Sequence, residues 1–97
     1  MFKTNEYFDG KVKSIAFLST TETETHPATV GVMAIGDYVF NTGDKEKMTV
    51  VSGAMKIKFS GSEEVHTFKA GDSFDVEANS SFDANVKVET AYLCIYG

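Results

Sequence analysis

The sequence of 97 residues contains no arginine. All nine of its basic residues are lysines, against 14 aspartates and glutamates, which gives a formal net charge of -5. A nucleic-acid-binding surface needs clustered basic residues, so this composition argues against a nucleic-acid partner. The lack of guanidinium groups also excludes a bidentate arginine clamp on phosphate. Any phosphate must therefore be held by lysine, hydroxyl or backbone N–H groups.

Cysteine and long apolar segments are also scarce. Cys94 is the single cysteine, so no disulfide can form within the chain. Its apolar neighbours predict a buried, inert thiol. The first residues, MFKTNEYFDGKV, contain no apolar targeting segment, and no apolar run approaches the length that spans a membrane. We expect a soluble cytoplasmic protein with no membrane partner.

Helical periodicity is nearly absent, and apolar residues alternate with polar ones as they do in strands. The clearest example is AMKIKF, Ala54–Phe59, in which the lysines face outward. The polar, acidic segment Ser19–Pro27 predicts a flexible hairpin loop. Glycine-containing turns separate the predicted strands, which are Lys11–Leu18, Ala28–Ala34, Asp37–Asn41, Met48–Ser52, Ala54–Ser60, Val65–Phe68, Ser73–Val76, Ser81–Lys87 and Thr90–Tyr96.

Short strands at this spacing predict one all-β domain, residues 1–97, built as a sandwich or a barrel. A domain of this size buries only about two-thirds of the surface of its unfolded chain. Binding of a second copy stabilises a small folded domain by mass action. We therefore expect a homodimer.

The segment EKMTVVSG, Glu46–Gly53, places a carboxylate on a strand that leads into a tight glycine turn. Residues two apart on a strand share a face, so Glu46 points inward if Met48 and Val50 are core residues. An inward carboxylate is costly unless it is paired or hydrated, which makes Glu46 the candidate catalytic residue. The alternative is that Glu46 lies at the rim and caps the turn Asp44–Lys47.

This strand, glycine turn and return strand resemble the first motif of the cupin fold. In metal-binding cupins, two histidines precede the glutamate and a third stands in a second motif. Here the first two positions hold Phe40 and Thr42, or Val39 and Asn41, and the third holds Phe82. A centre of three histidines and one glutamate therefore lacks its ligands. We expect no metal and no cofactor.

Aromatic rings and hydroxyls stand where a metal site would be expected. Tyr38, Phe40 and Thr42 share a strand face, while Phe82 and Tyr92 come from two other strands. Each of these residues, taken alone, is an ordinary core residue. Together with a carboxylate they suit a flat heterocycle joined to a sugar, because rings stack on the base and the carboxylate accepts hydrogen bonds from sugar hydroxyls.

Five blocks of the sequence carry a resemblance to a known family: Asn5–Phe17, Val30–Thr42, Glu46–Ile57, Ala70–Val76 and Tyr92–Gly97. Through them, nearly the full chain resembles the pyrimidine/purine nucleoside phosphorylase family of small cupins. The resemblance implies an all-β, single-domain cupin, a double-stranded β-helix barrel of the RmlC-like jelly-roll type. Two departures are a longer, more acidic loop and a second motif that reads VEANSSF, with Glu77 in place of a turn proline and Asn79 in place of a histidine.

The resemblance implies a pentosyl-transferring glycosyltransferase: a nucleoside, purine or pyrimidine, reacts with inorganic phosphate to give the free base and ribose 1-phosphate. Phosphate is then a co-substrate. On this hypothesis Glu46 binds the ribose hydroxyls, and Tyr38, Phe40, Thr42, Phe82 and Tyr92 form the nucleoside site. Lys13 would hold phosphate with Ser52 or Thr49, and Ser52 fits better because Thr49 lies on the strand face opposite Glu46.

Three other functions stay open on the sequence alone. The first is a non-catalytic cupin that senses a nucleoside or a sugar. The second is a metal-dependent cupin such as a dioxygenase or sugar isomerase, against which the missing histidines argue. The third is a structural assembly subunit, which would bind no small molecule. Cupin barrels host many chemistries, so the fold does not choose among these functions.

Overall fold

A computed structural model describes all 97 residues. The chain forms strands, turns and bends, with no helix long and apolar enough to cross a membrane. Ten strands follow one another along the chain, namely β1 (Thr4–Tyr7), β2 (Val12–Thr20), β3 (Thr25–Met33), β4 (Gly36–Asn41), β5 (Glu46–Ser52), β6 (Ala54–Phe59), β7 (His66–Lys69), β8 (Ser73–Val76), β9 (Ser81–Val86) and β10 (Thr90–Tyr96).

The strands form two antiparallel sheets that pack face to face. One sheet has six strands in the order β1-β2-β3-β10-β5-β8, and the other has four in the order β4-β9-β6-β7. The eight strands from β3 to β10 are therefore distributed between the sheets as in a jelly roll. The hairpin of β1 and β2 extends the six-stranded sheet beside β3. The all-β jelly roll expected from the sequence is confirmed.

Alternation along the strands fills the space between the sheets. Met48 and Val50 of β5 are buried, as are Met55 and Ile57 of β6, and Lys56 between them is exposed. The turn that joins β5 to β6 depends on Gly53, which has a φ of 89°. A Cβ atom there would lie 2.6 Å from the hydroxyl oxygen of Thr90. Only glycine fits this turn, so the glycine that defines the first sequence motif has a structural reason.

One half of the interior is packed with phenylalanine rings, which we call the aromatic core: Phe59, Phe68 and Phe74. The rings of Phe68 and Phe74 stack with centroids 4.4 Å apart, and the ring of Phe59 meets Phe74 edge-on at 5.8 Å. Aromatic pairs of this kind add about 0.5–1.5 kcal/mol beyond the area they bury. This half of the interior is a conventional hydrophobic core.

The predicted loop Ser19–Pro27 was wrong in its extent. Strand β2 continues to Thr20 and β3 begins at Thr25, with Ser19 opposite His26 and Thr20 opposite Thr25. The hydroxyls of Thr20 and Thr25 share a hydrogen bond of 3.2 Å. Threonine is β-branched and favours strands even where both strand faces are exposed to solvent. The polar composition of this segment was therefore not evidence for a loop. Residues 21–24 alone form the turn.

Candidate active site

A cleft of about 610 Å³ opens between the sheets beside the aromatic core. This volume lies within the range of small-molecule sites, about 300–1,000 Å³. Polar groups that line it include Ser14, Asn41, Asp44, Glu46 and Cys94. The aromatic side chains of its walls are Tyr7, Phe8, Phe40, Phe82, Tyr92 and Tyr96.

Two neighbouring strands supply the polar centre of the cleft. In the antiparallel pairing of β5 with β10, Glu46 stands opposite Tyr96 and Met48 opposite Cys94. Because Met48 is buried at 4 % exposure, Glu46 two residues earlier points to the same side. The prediction that Glu46 shares an inward face with Met48 and Val50 thus matches the structure.

The Glu46 carboxylate lies in an environment that disfavours its charge. Burial raises its pKa above the usual value, and the neighbouring carboxylate of Asp44 raises it further. The thiol of Cys94, whose Sγ lies 3.4 Å from Oε1 of Glu46, opposes this by donating a hydrogen bond. No lysine lines the cleft, so Glu46 has no cationic partner there. Carboxylates whose pKa is raised by burial and a like charge are typical of functional sites.

The three other titratable groups on β10 are neutral donors. Burial raises the pKa of the Tyr92 phenol to about 12 and that of the Cys94 thiol to about 12, and it also raises the pKa of Tyr96. All three therefore keep their protons at neutral pH. The Tyr96 hydroxyl shares a hydrogen bond of 3.2 Å with the Thr29 hydroxyl. The predicted burial of Cys94 is confirmed, but its thiol contacts the candidate catalytic carboxylate.

A missing side chain on β3 makes room for Tyr92. Gly31 stands opposite Tyr92 in the pairing of β3 with β10. A Cβ atom at Gly31 would lie 2.7 Å from the Tyr92 hydroxyl oxygen and 2.6 Å from the Lys13 carbonyl oxygen. Real side chains do not tolerate such distances. Glycine therefore allows the Tyr92 ring to lie across β3 and form one wall of the cleft.

Phe40, Phe82 and Phe8 form the opposite aromatic wall. The rings of Phe40 and Phe82 have centroids 5.3 Å apart, and Phe8 meets Phe40 edge-on at 5.6 Å. Phe8 lies in the turn from β1 to β2, where Phe8 and Asp9 both have a positive φ, 53° and 57°. Non-glycine residues in this conformation are uncommon and cost free energy. The turn places the Phe8 ring at the cleft.

The sequence did not predict β1 or the contribution of Tyr7 and Phe8. β1 is short, and three of its four residues are exposed, so it lacks an alternating apolar pattern. The pair Asp9-Gly10, which occurs in hairpin turns, was the available indication. Read as a turn, it would have implied a strand on each side and a hairpin at the start of the chain.

Tyr38 and Thr42, two of the predicted nucleoside-binding residues, are buried outside the cleft lining. Tyr38 is buried and donates its hydroxyl to the carbonyl oxygen of Ala34 at 2.7 Å. Thr42 is also buried; its hydroxyl donates to the Glu77 carbonyl oxygen at 2.7 Å and accepts from the Ser80 N–H at 2.9 Å. Neither side chain lines the cleft, whereas Phe40, Phe82 and Tyr92 do.

The turn that Thr42 holds contains Glu77 and Asn79, the two positions discussed in the sequence analysis. Asn79 in this turn adopts a φ of 53°, a conformation that asparagine tolerates better than most residues. Its N–H donates to the Gly43 carbonyl oxygen at 3.1 Å. The loop that carries Asp44 and leads to Glu46 is therefore tied to the second motif through backbone contacts.

The three predicted phosphate ligands lie outside the cleft lining. The Lys13 Nζ atom lies 3.5 Å from a carboxylate oxygen of Glu6, on the exposed side of β2. The hydroxyl of Thr49 shares a hydrogen bond of 2.7 Å with that of Ser73. Ser52 is exposed at the end of β5. The structure does not bring these three side chains together with Glu46.

No group of three or more histidine, cysteine, aspartate and glutamate side chains is placed to hold a metal ion. His26 lies beside Glu24, with 3.1 Å between Nε2 and Oε2, and His66 lies 3.5 Å from Glu64. Neither pair is part of the lining of the cleft.

Structural relatives have the same fold. A protein of unknown function from Vibrio parahaemolyticus superposes with a TM-score of 0.90 at 46 % sequence identity, covering 100 % of this chain and 99 % of the other. Hydroxypropylphosphonic acid epoxidase from S. wedmorenis superposes with a TM-score of 0.78 at 11 % identity, covering 99 % of this chain and 55 % of the epoxidase. The second likeness concerns the fold alone. The fold is a cupin jelly roll, as the sequence predicted.

Sequence comparison also finds relatives that match this chain over its full length. A protein from Alcanivorax borkumensis named pyrimidine/purine nucleoside phosphorylase is 57 % identical over 97 residues, which is 100 % of this chain and 99 % of that protein. Residues 2–96 match the family described as pyrimidine/purine nucleoside phosphorylase. The resemblance inferred from the sequence blocks is confirmed, and the chain belongs to the pyrimidine/purine nucleoside phosphorylase family.

Proposed function

We propose that this protein is a broad-specificity nucleoside phosphorylase that works without a metal. It joins phosphate to the ribose of purine and pyrimidine nucleosides and releases the free base. The observation that carries the proposal is the half-buried Glu46 carboxylate, which faces an aromatic cleft in a chain of this family. The placement of Glu46 relative to the rings supports a site for a sugar joined to a flat base.

The reaction needs negative charge near the sugar. A phosphate oxygen forms a bond to the anomeric carbon while the bond from that carbon to the base nitrogen breaks, and the bonding electrons leave with the base. The transition state carries positive charge at the anomeric carbon, which an ionised Glu46 stabilises while it binds the ribose hydroxyls. The base takes up a proton as it leaves, and hydrogen phosphate gives up one proton as it forms the ester, so the reaction balances. Phosphate is held in line with the departing base.

Stacking explains how one cleft accepts bases of two sizes. Phe40 is partly exposed at the cleft, and Phe82 and Tyr92 form its more buried walls. Every base has a π-face, so stacking discriminates little among bases. A site that read base edges by buried hydrogen bonds would be more selective.

The charge of the cleft lining is unfavourable for phosphate, which is an anion. Asp44 and Glu46 line the cleft, and no lysine does. We propose that hydroxyl, amide and backbone N–H donors hold phosphate near the sugar, with Ser14 and Asn41 the polar side chains available in the lining. Lys13, Ser52 and Thr49 remain candidates that kinetic tests with phosphate can address.

A direct assay tests the proposal. The purified protein is incubated with uridine, cytidine, adenosine, guanosine, inosine and xanthosine, with and without phosphate, in the presence and absence of a chelator. We expect free base to appear only when phosphate is present, and from both purine and pyrimidine nucleosides. The chelator should not change the rate. Glu46→Gln should lower kcat/KM by about 10²–10³, the size expected when one electrostatic contact to a transition state is lost.

The matched control is Glu22→Gln, which removes a carboxylate from an exposed turn. It should leave kcat/KM unchanged. Full activity of Glu46→Gln would contradict the role of Glu46, and base release that needs no phosphate would contradict phosphorolysis. Loss of activity in chelator would contradict metal independence.

No lysine side chain lines the cleft, so no cationic group is there to hold phosphate. This observation favours a second candidate function, a sensor that binds a nucleoside or sugar and does not consume it. Calorimetric titration distinguishes the two. A sensor binds nucleoside saturably, releases no base, and binds with the same affinity whether or not phosphate is present. An enzyme releases base once both substrates are supplied.

We also propose that the protein is a homodimer. Ile15, Val30 and Val32 are exposed next to one another on the outer face of β2 and β3. Apolar side chains grouped in this way mark contact surfaces, and a second copy stabilises a domain this small. Light scattering should give twice the chain mass for the parent and for Val65→Lys, an exposed valine elsewhere, and a smaller mass for Val32→Lys. A monomeric parent would overturn the proposal.

A further inference from the structure

We propose that Cys94 is a positioning residue for the reaction, because its thiol holds the Glu46 carboxylate in the orientation that the sugar requires. This inference rests on the function proposed above, in which Glu46 acts on the ribose. The sequence alone had indicated a buried and inert thiol, and the contact between the two side chains changes that interpretation.

The geometry places the two groups side by side, with the Tyr96 hydroxyl as a second neighbour of the thiol. Cys94 and Glu46 lie on paired strands, two residues off register, and both point into the space between the sheets. Their Sγ and Oε1 atoms are 3.4 Å apart. The Cys94 thiol is the single side-chain hydrogen-bond donor that reaches Glu46, and no salt bridge involves that carboxylate. Its orientation therefore depends on one contact.

The other groups that face Glu46 do not replace this contact. Asp44, two residues before it, is a like charge that disfavours ionisation. Tyr96 stands opposite Glu46 on β10, and its hydroxyl bonds to the Thr29 hydroxyl and also contacts the Cys94 thiol. Tyr92, also on β10, is close enough for the charge of Glu46 to raise the pKa of its phenol, but it forms no hydrogen bond with that carboxylate. On the other side of β5, strand β8 presents the apolar residue Val76 opposite Glu46. The thiol is the group that offsets the cost of ionising Glu46 in this setting.

Burial also suits the thiol for this role. Cys94 is 1 % exposed, and burial raises its pKa to about 12, so it stays protonated and can donate at the pH at which the enzyme works. A charged or strongly hydrated donor would disrupt the packing around it. Loss of the thiol should leave Glu46 harder to ionise and free to rotate.

The test compares Cys94→Ala, Cys94→Val and Cys94→Ser with the parent. Alanine and valine remove the donor, and valine fills the volume; serine restores a donor. Two quantities are measured: kcat and KM for uridine between pH 5 and 9, and the pKa of Glu46 in the free protein, from the carbon-13 shift of its carboxyl group. The control is Val50→Ala, which shortens a buried side chain on the same face of β5 and removes no donor.

We expect Cys94→Ala and Cys94→Val to lower kcat about threefold to tenfold, the size of an ordinary hydrogen bond, because a thiol is a weak donor even to a carboxylate. The acid limb of the kcat profile and the carboxyl titration should both move to higher pH. Cys94→Ser should return both toward the parent, and Val50→Ala should move neither. The valine and serine variants keep the comparison possible if the alanine variant does not fold.

The inference is overturned if folded Cys94→Val keeps the parent's carboxyl titration and pH profile, or if Cys94→Ser matches Cys94→Val in both. Failure of the proposed function has a different appearance. In that case the parent releases no base from any nucleoside, while the carboxyl titration still reports whether the thiol holds Glu46.

Discussion

The two halves of the interior are built by the same alternation of residues and serve different purposes. In the aromatic core, inward positions carry Phe59, Phe68 and Phe74, whose rings fill the space between the sheets. In the cleft, inward positions of β5 and β10 carry Glu46 and Cys94. The site is therefore a region where the core pattern continues with titratable side chains, and the space that they leave is open to a ligand.

Phe82 forms the boundary between these two halves. It is 1 % exposed, with its ring centroid 5.3 Å from that of Phe40 in the cleft and 5.9 Å from that of Phe74 in the aromatic core. Because rigid packing on one side holds the ring, the cleft has a fixed wall on the other. The stability of one half thus supports the geometry of the other.

The aromatic core and the cleft should differ most in the stability that is lost when a phenylalanine ring is removed. Phe74→Ala in the aromatic core should lower the free energy of unfolding by about 3–5 kcal/mol, because a buried ring leaves a cavity. Phe40→Ala in the cleft should cost much less stability, since Phe40 is partly exposed, and should raise KM for nucleosides. Urea denaturation and steady-state kinetics measure both quantities.

Phe74→Leu is the milder variant if Phe74→Ala does not fold. Equal losses of stability for Phe40→Ala and Phe74→Ala would show that the two halves are one continuous core. That outcome would also remove the reason to treat Phe40 as a ligand-facing ring.

A smaller effect is expected at the wall formed by Tyr92. Gly31→Ala places a Cβ atom where the Tyr92 ring now lies, so the ring must move or β3 must shift. Overpacking of this kind costs about 1–3 kcal/mol. We expect that loss in urea denaturation together with a raised KM for nucleosides. Gly31→Ala combined with Tyr92→Leu should recover part of the stability, because the clash with the Lys13 carbonyl oxygen remains, and should not recover KM. A double variant no more stable than Gly31→Ala would contradict the explanation through the Tyr92 ring.

The cost of the cleft should be visible in stability as a function of pH. The pKa of Glu46 is raised in the folded state, so the folded protein holds this proton more tightly than the unfolded chain. Stability from this group is then complete below 4.5, the ordinary pKa of the carboxyl in the unfolded chain, and is lost as pH rises through the folded pKa. Glu46→Gln should therefore have a melting temperature at or above that of the parent at pH 7.

Calorimetric scans between pH 4 and 8 measure this difference. The advantage of Glu46→Gln should shrink as the pH falls toward 4, where Glu46 is protonated in both states. A melting temperature well below that of the parent at pH 7 would instead show that the ionised carboxylate stabilises the fold.

The smallest effect is expected outside both halves. Lys13 lies on the exposed face of β2 beside Glu6, away from the cleft lining. Lys13→Met should therefore change KM for phosphate by less than about twofold, since an exposed ion pair contributes little. A large increase in KM for phosphate alone would place the phosphate site at Lys13, outside the cleft in which we propose that the nucleoside binds.

The sequence predicted features that depend on local periodicity. Ala54–Phe59 alternates clearly because one face is core and the other is solvent, and β6 occupies that segment. Glu46 was identified through its spacing from Gly53, a glycine that the turn requires sterically. Polar strands gave no such pattern, which is why β1 was missed and the end of β2 was taken for a loop.

Contacts that depend on register between distant strands could not be predicted. Glu46 and Cys94 are 48 positions apart and meet because β5 and β10 pair with a particular offset. The same holds for Gly31 and Tyr92, which meet through the pairing of β3 with β10. The pattern of inward positions was readable on each strand, but the sequence did not show which inward positions on different strands would be neighbours.

The position of β10 between β3 and β5 has a consequence for biosynthesis. Both neighbours leave the ribosome before β10 does, and until it arrives each presents an unpaired edge, the type of edge through which chains aggregate. Closing these edges requires contacts between residues far apart in the chain, which form slowly. Because β10 also carries Tyr92, Cys94 and Tyr96, the step that protects the nascent protein from aggregation is the same step that completes the cleft.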